Sequence, residues 1–180
     1  MFINPLLIIL YMDIEDTRGH ISISNDSIKY MLKFIKKHNF KTVLEIGTLK
    51  GYSAMKFSAV AEKVVTIENS KINAKEAKEN FEKLNVKNIE LIYGDARTVM
   101  GNITDKFDLI FIDATKVQYK EYLVLALKLL NTNGCIFADN TISHKEYMDE
   151  FFEYLKNNNI EYKELNIGKG LVLIYHNKTI

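Results

Sequence analysis

Two hydrophobic periods alternate along this chain, and the switches between them predict its elements. From Ser24 or Asn25 to about His38, the apolar residues Ile28, Met31, Leu32 and Ile35 recur at i, i+3, i+4 and i+7, the stripe of an amphipathic helix capped by a polar side chain. Its other side carries Lys29, Lys33, Lys36 and Lys37. Five short apolar runs follow: Thr42 to Ile46, Lys63 to Glu68, Ile89 to Asp95, Phe107 to Asp113 and Cys135 to Asn140. Such near-continuous runs suit strands covered on both faces. Between and after them, Gly51 to Val60, Lys71 to Leu84, Lys116 to Leu130 and His144 to Lys156 read as helices. The third presents Tyr119, Tyr122, Leu123, Ala126, Leu127 and Leu130 as an inner face, and the fourth clusters Met148, Phe151, Phe152 and Leu155. Ile160 to Ile167 and Leu171 to His176, joined by Gly168-Lys169-Gly170, predict an antiparallel hairpin.

Strands alternating with helices imply right-handed crossovers and an α/β domain. The expected architecture is a Rossmann-like, mainly parallel seven-stranded sheet with helices on both faces and the antiparallel C-terminal hairpin, in one domain over residues 1–180. Ligands of such sheets bind beyond the carboxyl ends of the strands. The first strand ends in Ile46-Gly47-Thr48-Leu49-Lys50-Gly51-Tyr52-Ser53, a glycine turn that leads into a helix whose first amides favour polar or anionic groups. Two glycines four residues apart fall short of the full dinucleotide fingerprint, and such a turn also serves pure geometry. Glu68 lies about 20 residues further on, where a carboxylate commonly holds ribose hydroxyls. Asp95, Asp113, Asp139 and Asn140 stand at other strand ends. Each acid is also a candidate helix cap. Glu45, inside an apolar strand, calls for a cationic or hydrogen-bonding partner.

Composition narrows the partners. A formal charge of +1 argues against a globally basic nucleic-acid binder; the lysine side of the first helix reads as a solvated face, with an anionic-substrate or RNA contact surface as the alternative. The single cysteine, Cys135, forbids an internal disulfide and suits a reducing, cytoplasmic setting. His20, His38, His144 and His176 are scattered without zinc spacing. The apolar start, Met1 to Met12, is too short for a bilayer, which needs about 20 residues, and lacks a basic leader. Residues 1–20 are expected to dock on the body or on a second subunit as an extension, with a homodimer as the expected assembly and no membrane partner.

The motifs V-L-E-I-G-T-L-K-G-Y-S, V-T-I-E, I-Y-G-D-A, F-D-L-I-F-I-D-A-T-K with Tyr119 and Tyr122, A-D-N, and I-G-K-G-L together resemble class I S-adenosylmethionine-dependent methyltransferases. More narrowly, the chain is similar to the cation-dependent O-methyltransferases of the catechol and caffeoyl-CoA type, which include a bacterial tRNA hydroxyuridine methyltransferase. The resemblance implies that Gly47 and Ser53 line an S-adenosylmethionine site, with Glu45 near its methionine end. It implies Glu68 at the ribose, Asp95 with Ala96 at the adenine, and Asp113 shared between the cofactor and the metal. Asp113, Asp139 and Asn140 match the ligands of a divalent cation (Mg2+, Mn2+ or Ca2+), and Lys116 matches the base. Two carboxylates and an amide oxygen form a hard donor set suited to such ions. The implied reaction is metal-dependent methyl transfer to a hydroxyl beside a second oxygen; a tRNA hydroxyuridine acceptor, or cofactor binding without catalysis, are the alternatives. Departures fall on the acceptor side: Thr115 stands where the family commonly has Asp, and Thr141-Ile142-Ser143-His144 replaces an apolar residue, often Trp, and Gly.

Overall fold

The computed structural model describes residues 23–175. The expected N-terminal extension and His176 lie outside the described residues. Six α-helices are described: α1 (Asn25–His38), α2 (Tyr52–Ser58), α3 (Lys71–Lys83), α4 (Ala96–Asn102), α5 (Tyr119–Leu129) and α6 (Asp149–Asn157), with short 3-10 turns over Lys116–Gln118 and Lys145–Tyr147. The strands are β1 (Thr42–Ile46), β2 (Lys63–Glu68), β3 (Ile89–Tyr93), β4 (Phe107–Ile112), β5 (Leu130–Asp139), β6 (Tyr162–Leu165) and β7 (Leu171–Tyr175). They form one seven-stranded sheet in the order β3-β2-β1-β4-β5-β7-β6. β1 to β5 pair in parallel, and β7 runs antiparallel to both β5 and β6.

Period-two alternation within the central strands sorts their side chains onto two cores. Leu44, Ile46, Ile110, Ile112, Ile136 and Ala138 face α4, α5 and α6. Val43, Leu109, Phe111, Cys135 and Phe137 face α1, α2 and α3. The same alternation sends Glu45 to the second side. Ser24 caps α1 by accepting from the Ser27 amide, and Asn39 ends it in the left-handed region, as the polar start and Asn stop require.

Several elements differ from the sequence reading, among them the helix expected from His144, which begins at Asp149 after a 3-10 turn over Lys145–Tyr147. α4 is a short helix that the apolar pattern does not announce: only Ala96 and Met100 are buried, and the strand expected to reach Asp95 stops at Tyr93. The helix expected to run to Leu130 ends at Leu129, and β5 starts immediately. Leu130 pairs with Phe107, and the register shifts before Leu109 meets Cys135, so Asn133-Gly134 lies within a strand instead of stopping a helix. Leu129 is consequently buried in α5 while Leu127 is only partly covered.

Candidate active site

At the carboxyl ends of β1, β2, β4 and β5 lies a cavity of about 800 Å³. Gly47 to Lys50, Tyr52 and Ser53 form one wall with Glu68, Gly94 and Ala96; Asp113 to Lys116, Asn140, His144 and Lys169 form another. The Gly47 turn is set by contact. Its amide donates to Ile67 O at 3.0 Å, φ is +96°, and a Cβ there would stand 2.1 Å from Asp113 O. Only glycine allows the β1 and β4 ends to approach so closely. Gly51 serves packing instead: a Cβ would meet the Phe81 ring at 2.3 Å, so it seats α3 against α2. Leu49 adopts φ +50°, an uncommon region for a branched side chain. Glu68 holds it there, Oε2 accepting from the Leu49 amide at 2.7 Å while Oε1 accepts from the Ser70 amide at 2.8 Å. Each carboxylate oxygen retains a lone pair, and Glu68 also lines the cavity.

Glu45 is fully buried and is not among the residues lining the cavity. Desolvation pushes its carboxyl up to about 8, the Ser53 and Thr66 hydroxyls opposing that rise. Thr66 donates to Oε2 at 2.6 Å, while Oε1 has no partner among the described residues. Since Thr66 has one hydroxyl hydrogen, Thr48 donates to Thr66 across 2.5 Å. A chain of hydroxyls thus links the turn to the buried acid. Asp95 accepts from the Arg97 and Thr98 amides as the N-cap of α4 and pairs with the Arg97 guanidinium. That side-chain hydrogen bond leads the causes holding its carboxyl down at about 2. Asp95 caps and pairs beside the cavity, while its neighbours Gly94 and Ala96 line it.

Across the cavity, the ends of β4 and β5 bring four side chains together. Asp113 Oδ1 accepts from Lys116 Nζ at 2.9 Å and from Asn140 Nδ2 at 2.9 Å. Asn140 Nδ2 also donates to Asp139 Oδ2 at 3.2 Å, and Asp139 Oδ1 is buried with no partner among the described residues. Desolvation, then the charge of Asp113, pushes the Asp139 carboxyl up to about 7. Lys116 Nζ further donates to Tyr119 Oη at 2.7 Å. Tyr119 is fully buried, and its hydroxyl donates toward Ile112 O and Asp139 O, both at 3.1 Å. It therefore staples the two strand ends that carry the acids and holds the lysine between them.

The structure thus gathers Gly47, Ser53, Glu68, Ala96, Asp113, Lys116 and Asn140 on one cavity, with Asp139 and Glu45 beneath the surface. Sequence reasoning passes over the site roles of Thr48, Leu49, His144 and Lys169. Leu49 and Thr48 carry no chemical signature of their own; Lys169 between two glycines is the one signal a reader could follow. Among the described residues, no three His, Cys, Asp or Glu side chains converge, so a cation here would depend on the Asn140 amide as well as the acids.

Sheet order, glycine turn and strand-end carboxylates define an α/β fold of the Rossmann-like methyltransferase class. The chain belongs to the O-methyltransferase family, whose profile matches residues 11–175. It is 30% identical over 138 residues to a catechol O-methyltransferase of Niastella koreensis, a match covering 72% of this chain and 62% of that protein. The chain spans between 46% and 62% of the length of the curated relatives it matches. Among solved structures, the SAH-bound methyltransferase PaMTH1 of Podospora anserina superposes with a TM-score of 0.84 at 25% identity, covering 94% of this chain and 87% of that one. A Staphylococcus aureus protein provisionally named a caffeoyl-CoA O-methyltransferase gives a TM-score of 0.80 at 28% identity, over 96% and 93%. No described helix is long and apolar enough to cross a membrane.

Proposed function

We propose that this chain transfers the methyl group of S-adenosylmethionine to a hydroxyl lying next to a second oxygen, with a divalent cation such as Mg2+ at Asp113, Asp139 and Asn140. The observation that carries the reading is the cluster of Asp113, Asn140 and Lys116 on the rim of the same cavity as the glycine turn, with the Asp139 carboxyl buried directly beneath it. Its donor set fits a cation. Asp139 Oδ1 is a buried orphan, and two like charges press on one another there. With the amide oxygen of Asn140 turned inward, the three side chains offer the hard oxygens that Mg2+ prefers. A bound cation would favour the ionised form of an acceptor hydroxyl and help orient it.

The remaining roles fall to the chain itself. The Gly47 turn and α2 leave room for a cofactor to lie against backbone, and Glu68 has lone pairs to accept ribose hydroxyls. Lys116, held by Asp113 and Tyr119, would steer the acceptor oxyanion in line with the methyl group as an ammonium, or take the acceptor proton once deprotonated. The name of the Niastella koreensis relative favours a catechol-like acceptor. The test is a labelled-methyl assay over diphenols and unmodified tRNA, with EDTA and with Mg2+. Diphenol methylation lost in EDTA and restored by Mg2+ is expected. Asp139→Ala should lower turnover about a hundredfold or more while leaving S-adenosylmethionine affinity nearly unchanged by calorimetry. Turnover indifferent to chelation would sink the metal, and methylation of tRNA alone would move the acceptor to RNA.

A further inference from the structure

The corner where β4 and β5 end is neutralised from within the chain. Lys116 Nζ donates to Asp113 Oδ1 at 2.9 Å and to Tyr119 Oη at 2.7 Å, and it stands 4.8 Å from the centroid of the Tyr119 ring. Asn140 Nδ2 donates to the same Asp113 oxygen at 2.9 Å and to Asp139 Oδ2 at 3.2 Å. One ammonium and one amide NH2 thus converge on a single carboxylate oxygen. The ion pair is sheltered, the Lys116 and Asp113 side chains being 15% and 19% exposed, so water and salt screen it less than a surface pair.

These groups differ in how firmly they are placed. Asp139 is buried, and its carbonyl is tied to Tyr119. Asn140 adopts φ +63°, a left-handed conformation that Asn tolerates better than most residues. Lys116 instead opens the 3-10 turn Lys116–Gln118, in which no residue is buried, and it lines the cavity. Its flexible four-carbon stem can therefore swing off Asp113 without disturbing either strand end. Lys120, one turn further along, pairs with Glu150 at 2.9 Å on the surface and takes no part in the cluster.

We propose that Lys116 is a built-in stand-in for the divalent cation: while no ion is bound its ammonium balances Asp113, and an arriving ion competes with it for that carboxylate. This rests on the divalent-cation reading given above. Shape and charge both oppose the ion. Mg2+ and Mn2+ take oxygen ligands, so the Asn140 amide has to present its oxygen where its nitrogen now donates. A cation beside Asp113 also meets the positive charge of Lys116 at short range and under weak screening. The lysine accordingly lowers the affinity of the site for metal. Binding of the ion in turn releases the ammonium from Asp113 into the cavity, with Tyr119 as its remaining tether, so that loading the metal and freeing the lysine become one event.

The test titrates the full chain with Mn2+ alone, followed by calorimetry and by loss of the free-ion signal in electron paramagnetic resonance. Lys116→Met should bind Mn2+ about tenfold more tightly than the unmodified chain. Lys116→Gln, which keeps a hydrogen-bond donor but no charge, should do the same. Lys120→Met removes a neighbouring positive charge and should leave the affinity unchanged. Melting temperature supplies a readout that a structural role alone would not move: Lys116→Met should be less stable than the unmodified chain in EDTA, and the gap should close or reverse in saturating Mn2+. Equal Mn2+ affinity in the unmodified chain and both Lys116 variants overturns the proposal and leaves the metal site standing, as does equal tightening by Lys120→Met or a melting deficit of the same size in EDTA and Mn2+. Absence of Mn2+ binding from all four chains overturns the site and the proposal together. Tighter binding by the Lys116 variants, with no acceptor methylated by the unmodified chain, would defeat the proposed reaction and leave the competition intact.

Discussion

Glu45 is an acid with no exposed surface, and burial holds its carboxyl at about 8 against the ordinary 4.5. The native state therefore keeps this proton more tightly than the unfolded chain does. Its contribution to stability is fully present below about 4.5 and is lost as pH rises through about 8. Glu45→Gln should accordingly raise the melting temperature at pH 8 to 9 and change it little at pH 4 to 5, as scanning calorimetry would show. An equal effect at both ends of that range would mean that the acid is not protonated in the fold. Tyr119 poses the opposite case, a buried hydroxyl with every bond made. Tyr119→Phe leaves two carbonyls and Lys116 short of a partner, at a cost of about 1–3 kcal/mol. Denaturant unfolding measures the loss; a turnover deficit beyond the folded fraction lost would come from the slackened lysine.

At the level of elements, the strands β1 and β2 and the helices α1 and α3 are legible because apolar runs and 3.6-residue stripes announce them directly. α4 is not, since Ala96 and Met100 alone are buried along it and the surviving signal is its Asp95 cap. The start of β5 is hidden for another reason: Leu130 continues the α5 stripe and is claimed by pairing with Phe107, a contact between distant residues. Asp108 is the device that fixes this edge, and apolar periodicity says nothing of it. Its Oδ2 accepts from the Lys41 and Thr42 amides at 2.8 and 3.0 Å, and its Oδ1 accepts from Asn131 at 2.7 Å. Burial raises its carboxyl, but the bonds from Lys41, Asn131 and Thr42 together outweigh burial and hold it below the usual range. The stability it contributes is present above that range and lost as pH falls through the lowered value. Asp108→Asn should cost about 1–3 kcal/mol at pH 7, with the difference from the parent protein shrinking in acid. The site was legible to the same degree: its acids, amide and lysine announce themselves by chemistry, whereas the contact of Gly47 with Asp113 O, the Tyr119 staple and the Lys169 loop depend on how strand ends meet.

The molecule as a whole is a sheet between two cores, with its cavity at the one edge where strands end and helices begin. Ligand bound there is bound only by the folded chain. S-Adenosylmethionine at about a hundred times its Kd should add about 2.7 kcal/mol of stability, or about 5–10 °C in melting temperature for a domain of this size. Thermal shift against ligand concentration checks this, and Glu68→Ala should suppress it.

Glu68 also has a bearing on kinetics. Its two oxygens hold the Leu49 and Ser70 amides, so the unfavourable backbone of the turn is imposed during folding, before any ligand arrives. On the proposed reading, capture of the cofactor would then require encounter but no rearrangement of this turn. In stopped-flow mixing, the observed association rate should climb in proportion to S-adenosylmethionine concentration without reaching a plateau; saturation of that rate would reveal a slow reshaping step that the Glu68 tether ought to have removed.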